Sequence, residues 1–248
     1  MPFNPFKRAP LPETTTIALA RGEVAVRVKA SSRARAYRLA ISSRGEPVLT
    51  VPHRGRWSEA RAFLLRHAGW LETRLARLPA PSPLVDGAAI PLRGVPHRIV
   101  SLDGSRGTVC VKASDQGPEI HVPGGPDHLQ RRLFDWLKRE ARADLDLACA
   151  RHAETLGVTI AALRLRDQST RWGSCSSART LNFNWRLILA PPFVLDYVAA
   201  HEVAHILEMN HAPAFWRTVA RTLPDYEAGR AWLKANGREL MQVGGGSA

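Results

Sequence analysis

Residues 23–29, Glu-Val-Ala-Val-Arg-Val-Lys, alternate polar and apolar side chains, the period of two by which a strand buries one face and wets the other. Tyr37–Ile41 and Pro47–Val51 repeat the pattern and are separated by Ser-Arg-Gly-Glu, a turn sequence, so a small sheet is expected. The period then changes. Phe63, Leu64, His67, Trp70, Leu71, Leu75 and Leu78 recur every three or four residues, which predicts one helix from Trp57 to Leu78. On that reading Trp57 and Trp70 belong to the core and His67 to its edge. Pro79–Pro83, Pro-Ala-Pro-Ser-Pro, is the strongest linker signal in the chain. Short strands are expected near 88–91, 97–102, 108–111 and 119–122.

A long helix should open at Pro126-Asp127 and stop at Gly157, with Leu129, Leu133, Trp136, Leu137, Leu145, Ala148, Cys149 and Leu156 as its apolar stripe. Cys149 on that stripe is expected to be inert, and His128 and His152 have no metal-spaced partner. Leu163–Arg166 and Thr180–Leu189 read as two strands, paired as a hairpin around Arg171–Ala178. Pro191-Pro192 then offers a helix start, followed by Val194, Leu195, Val198, Val203, Ile206 and Leu207 as apolar positions. Met209-Asn210 is the expected stop. Ala214–Leu223 and Tyr226–Leu240 close the chain as two helices. No internal repeat is visible.

The expected division is a disordered arm at 1–15, a β-rich region with one helix at 16–123, a helix-rich region at 124–242 and a flexible tail at 243–248. The fold class is α+β. The chain has 248 residues, with hydrophobic content of 45% and charged content of 23%, as in a soluble globular protein. No apolar run is long enough to span a membrane, and the N-terminus lacks a signal-peptide core, which argues for the cytoplasm. The three cysteines form no C-x-x-C pair, which suits a reducing compartment. The net charge of +13 is uneven. Residues 1–80 hold 15 Lys and Arg against 5 Asp and Glu, a net +10, so this region is a possible nucleic-acid surface. Arg33, Arg35 and Arg38 cluster at one strand entry, where they can contact phosphates or guard a sheet edge.

The chemistry concentrates in His201-Glu202-Val203-Ala204-His205, an H-E-x-x-H sequence. Positions i and i+4 share a helix face, so His201 and His205 can bind one metal ion, and Glu202 can polarise a metal-bound water without ligating the metal. This is zinc hydrolase chemistry. His211 follows His205 by six residues, the return spacing of a third histidine in metzincins, although their glycine is replaced by Glu208 here. Glu208 is a rival third ligand. It follows His205 on the same helix surface, and His211 is preferred.

Two blocks resemble the YgjP-like metallopeptidases, zincins related to the SprT-like proteases. One is Arg171-Trp172-Gly173-Ser174-Cys175-Ser176 with Leu181–Leu187. The other is His201-Glu202, His205, Asn210-His211 and Phe215-Trp216. The resemblance implies a zincin-like catalytic part with Zn²⁺ held by His201, His205 and His211, and Glu202 as general base. It implies hydrolysis of a protein or peptide, without naming the substrate. Arg171, Trp172 and Arg186 are candidate substrate contacts, the arginines for an oxyanion or a carboxylate. Cys175 lacks the partners of a nucleophile. Asp225 or Glu227 is a candidate to orient a ligand histidine. A nucleic-acid-associated protein and a zinc hydrolase of a non-peptide amide remain as alternatives.

Overall fold

The computed structural model describes residues 11–20, 22–42, 45–77, 82–104, 106–168 and 170–244. The chain divides into two compact units, Met1–Pro79 and Ala80–Ala248.

The first unit is a four-stranded sheet covered on one face by two helices. Strands β1 (Thr14–Leu19), β2 (Gly22–Ser31), β3 (Arg38–Ile41) and β4 (Pro47–Pro52) lie in the order β1-β2-β4-β3. β2 and β4 are parallel and the outer pairs antiparallel. Ile17, Val26, Leu49 and Val51 meet Ala60, Leu64 and Leu71 of helices α1 (Trp57–Arg66) and α2 (Ala68–Leu75) in one core. A single helix was expected here, and two are found. His67 leaves the helical conformation at φ −104°, ψ 14°, and its Nδ1 donates to the Phe63 carbonyl at 2.8 Å. Trp70 is 44% exposed and lies outside the core, contrary to its expected place, whereas Trp57 packs partly against it. Of the expected arm, 1–10 lie outside the described residues, and Thr14 and Thr15 already belong to β1.

The second unit begins with the same topology. β5 (Ala89–Leu92), β6 (Val95–Leu102), β7 (Cys110–Ser114) and β8 (Gly117–Pro123) lie in the order β5-β6-β8-β7, again with a parallel central pair and antiparallel outer pairs. Buried Ile120 and Val122 stand where Leu49 and Val51 stand in the first sheet. Reading the residues alone reveals no repeat, because strand order depends on turns and alternation rather than on residue identity. The long helix α3 (Pro126–Leu156) follows, and Gly157 ends it at φ 67°, a left-handed conformation that favours glycine. All eight positions of its expected stripe are buried.

Next come β9 (Ala162–Arg166), β10 (Gly173–Cys175) and β11 (Thr180–Asn184), in the order β10-β11-β9. β9 and β11 are parallel and do not form the expected hairpin; the antiparallel partner of β11 is β10. Residues expected to prolong the strand instead form a 3₁₀ turn, Trp185–Leu189. All five are buried, and the Asn184 side chain accepts from the Arg186 backbone N–H to start the turn. Helices α4 (Pro192–Ala204), α5 (Pro213–Thr222) and α6 (Tyr226–Leu240) complete the unit.

The strands of 89–123 do not pack as part of an N-terminal region divided from the rest at 123. Leu92, Ile99, Ile120 and Val122 share one core with Leu133, Leu137, Trp185 and Ile188. Val243, placed in the tail by the sequence, is 3% exposed within that core, whereas 245–248 lie outside the described residues. Among the described residues, no helix is long and apolar enough to cross a membrane.

Candidate metal centre

α4 is apolar almost all round, and packing on α3, α5 and α6 buries it. Its last turn carries His201, Glu202 and, at the C-cap, His205. The helix ends at Ala204, five residues before the expected stop, and tightens into a turn in which Ile206 N donates to the Val203 carbonyl and Leu207 N to the Ala204 carbonyl. This early stop lets the chain swing back and bring in His211.

The three histidines meet through one ring atom each. His205 Nε2 lies 3.2 Å and His211 Nε2 3.0 Å from His201 Nε2. Ligand nitrogens about 2.0–2.1 Å from a tetrahedral zinc ion stand about 3.3 Å apart, so the cluster is near the required size. Among the described residues it is the one group of three or more His, Cys, Asp or Glu side chains with metal-site spacing. The protonation pattern fits as well. His205 Nδ1 donates to the Glu208 carbonyl at 2.9 Å, which leaves the Nε2 lone pair facing its neighbours. Burial, then repulsion from His205 and His211, pushes His201 down to about 3, and burial also lowers His205. Both rings therefore present unprotonated nitrogens at neutral pH, as a metal ligand must. Phe215, fully buried, stacks on His205 with centroids 4.4 Å apart and holds the ring in place.

Glu208 contributes its backbone carbonyl and is not a member of the cluster, whose third side chain is His211. Asp225 and Glu227 are both exposed, and neither makes a hydrogen bond to a histidine of the cluster; the orienting group is that carbonyl.

Glu202 is 5% exposed, and its Oε2 has no hydrogen-bond partner among the described residues. Burial pushes its carboxyl up to about 8, against a smaller opposing pull from Arg171. Gly173 of β10 covers it: a Cβ built there would fall 2.4 Å from Glu202 Oε1 and 2.6 Å from Cγ. Only glycine permits so close an approach of strand to carboxylate. The residues themselves offer no signal for this role, since R-W-G-S-C also reads as a simple turn.

The three expected substrate contacts have different fates. Arg171 is exposed and close enough to act on Glu202. Arg186 is 1% exposed, with Nη1 donating to Asp167, Nε donating to the Val243 carbonyl at 2.8 Å and the guanidinium over Trp185. It is an internal brace and cannot reach a substrate. Trp172 packs against both hydrophobic cores of the unit and lies against Gly237 of α6, so its ring supports β10 from within. Cys175 sits beside Glu202, and burial followed by that carboxylate raises its thiol, which disfavours the nucleophilic thiolate.

No curated protein matches the chain. The crystal structure of the metallopeptidase zymogen of Pyrococcus abyssi abylysin is similar over 36% of this chain and 93% of that chain, at 19% identity and a TM-score of 0.33. The YgjP-like metallopeptidase domain matches residues 35–236, which span more than half of the chain and contain the histidine cluster, Glu202 and Gly173. The chain therefore belongs to the YgjP-like metallopeptidase family.

Proposed function

We propose that this metallopeptidase is zinc-dependent, that His201, His205 and His211 hold the ion and that Glu202 is the general base. The observation that carries the reading is the convergence of three Nε2 atoms within 3.0–3.2 Å steps, beside a buried carboxylate with an unpartnered oxygen. A bound zinc ion would supply Lewis-acid polarisation of a scissile carbonyl and of water. Three imidazoles and no carboxylate suit zinc better than calcium or magnesium, which take oxygen ligands.

The remaining steps belong to the chain's own side chains. Glu202 Oε2 takes a proton from the attacking water and passes it to the nitrogen of the leaving amine. Its raised pKa brings the carboxyl near neutrality, where a group can both accept and return a proton. Arg171, exposed beside Glu202, offers a cation to a substrate carbonyl or carboxylate. β10 is an edge strand in its sheet, so an extended peptide can add to it through main-chain hydrogen bonds. Gly173 and Cys175 on that strand bring the added peptide beside Glu202.

The test is cleavage of a mixed peptide library by the full chain, stripped of metal with a chelator and reloaded with zinc. Cleavage that vanishes on stripping and returns with zinc is expected. A zinc-loaded protein that cuts no peptide in the library would contradict the reading.

A further inference from the structure

The outer face of the first sheet carries exposed cations that form no ion pair among the described residues. Lys29 of β2 pairs with Thr50 of β4, and Thr50 with Arg38 of β3, so the three stand in one row across the sheet. Alternation puts this row on the face opposite buried Leu49 and Val51. Arg33 and Arg35, in the connection between β2 and β3, extend the row into a cleft of about 610 Å³. A second cleft, about 500 Å³, adds Arg54 and shares Ala34, Arg35 and Tyr37 with the first. The shared wall makes the two one trough. All five cations are exposed, and none forms an ion pair among the described residues. The one carboxylate in the lining, Glu59, accepts from the Tyr37 hydroxyl at 2.6 Å.

The second sheet has the same strand order and solves the same position differently. Arg98 and Glu119 are register partners there, as Arg27 and Val48 are in the first sheet. Glu119 pairs with Arg98 and also accepts from His121 at 2.7 Å, so that outer face is neutralised from within. The architecture is thus compatible with internally paired charge. In the first sheet valine stands in the place of the acid, and like charges crowd together at a cost in stability. A persistent excess of this kind calls for an external anion.

We propose that the trough is a binding surface for the phosphodiester backbone of single-stranded nucleic acid. Four of its five cations are arginines, whose planar fork matches phosphate oxygens in pairs. Two adjoining clefts suit an extended ligand with regularly repeated charges better than a single small anion. Tyr37 lines both clefts with its ring packed against Phe63 and its hydroxyl held by Glu59, so it is a fixed wall of the trough, and the cations carry the contact with the strand. A recessed trough admits one strand, whereas a duplex presents its phosphates on a convex rod. This surface shares no residue with the metal centre, so each reading can fail without the other.

The experiment is fluorescence anisotropy of a labelled oligo(dT) of about 20 nucleotides with the full zinc-loaded chain, across 50 to 200 mM salt. Four phosphate contacts to a single strand give a log–log salt slope of about −3, which is roughly a fifty-fold loss of affinity over that range. The variant Arg33→Glu/Arg35→Glu/Arg38→Glu should bind at least about 100-fold more weakly at low salt and flatten the slope. Arg35→Ala, a milder change, should lose several-fold in affinity. Melting temperature and zinc content serve as folding controls for both variants. Absence of binding at 50 mM salt, a flat slope, or variants that bind like the parent would overturn the proposal. Polyglutamate competing as well as oligo(dT) would make this an acidic-peptide surface instead, and tighter binding of duplex would overturn the single-strand assignment.

Discussion

Arg186 and Glu202 are both charged-type side chains sealed inside the same unit, at 1% and 5% exposure, yet their surroundings are opposites. Arg186 gives its guanidinium to Asp167 and the Val243 carbonyl, lies over Trp185, and has its backbone N–H capped by Asn184. Glu202 leaves Oε2 without a partner and has a bare glycine against it. Burying a charge is expensive, and a structure recovers that cost only when partners surround it. Arg186 follows that rule and serves as architecture. Glu202 breaks it, which is the condition of a group kept reactive.

Four substitutions probe this contrast. Arg186→Met should be the most damaging to the fold. It removes the guanidinium from Asp167 and the Val243 carbonyl, and a loss of about 3–5 kcal/mol in denaturant unfolding is expected. A loss below about 1 kcal/mol would show that the brace is dispensable. Gly173→Ala comes next. Its methyl group must displace Glu202, so stability should fall by about 1–3 kcal/mol and zinc-dependent cleavage by about 100-fold while zinc stays bound. In a Glu202→Ala background the same change should cost far less stability, and purely additive losses would argue against the contact.

Glu202→Gln in metal-free protein acts in the opposite direction. An ordinary glutamate titrates near 4.5 and this one near 8, so between those values the folded chain holds a proton that the unfolded chain has lost. Stability of the parent therefore falls as pH rises through that window. The glutamine variant escapes the fall and should be more stable by about 1–3 kcal/mol above pH 8, with little difference at pH 4. Equal melting curves at both pH values would mean that the carboxylate is well accommodated. Smallest of all, Cys175→Ser should change cleavage less than about two-fold, since the thiol is raised away from the nucleophilic form.

Much of this contrast was legible from the residues, and the unread part has a common cause. Pro126 and Gly157 bracket α3, and their backbone preferences act locally, so both ends were readable. The approach of His201 to His205 was readable for the same reason: i and i+4 share a face whatever surrounds the helix. The break at His67 was not, because it depends on a side-chain bond back to the Phe63 carbonyl. Nor was the parallel pairing of β9 with β11, which sequence proximity disguised as a hairpin. Arg186 looked like a substrate contact because an arginine in a motif-rich stretch carries no mark of its depth. Its partners Asp167 and Val243 lie far from one another in the chain. The twin sheets leave no mark in the sequence, since turns and alternation, not matching residues, define their order.

On the proposed function, the buried Glu202 carboxylate does the proton transfer while the histidines alone hold the metal. Peptide cleavage by zinc-loaded Glu202→Gln, with metal content measured on the same sample, tests it most directly. One zinc ion per chain with cleavage reduced by about 10³-fold or more is the predicted result. Parental cleavage by a variant that still carries its zinc would contradict it.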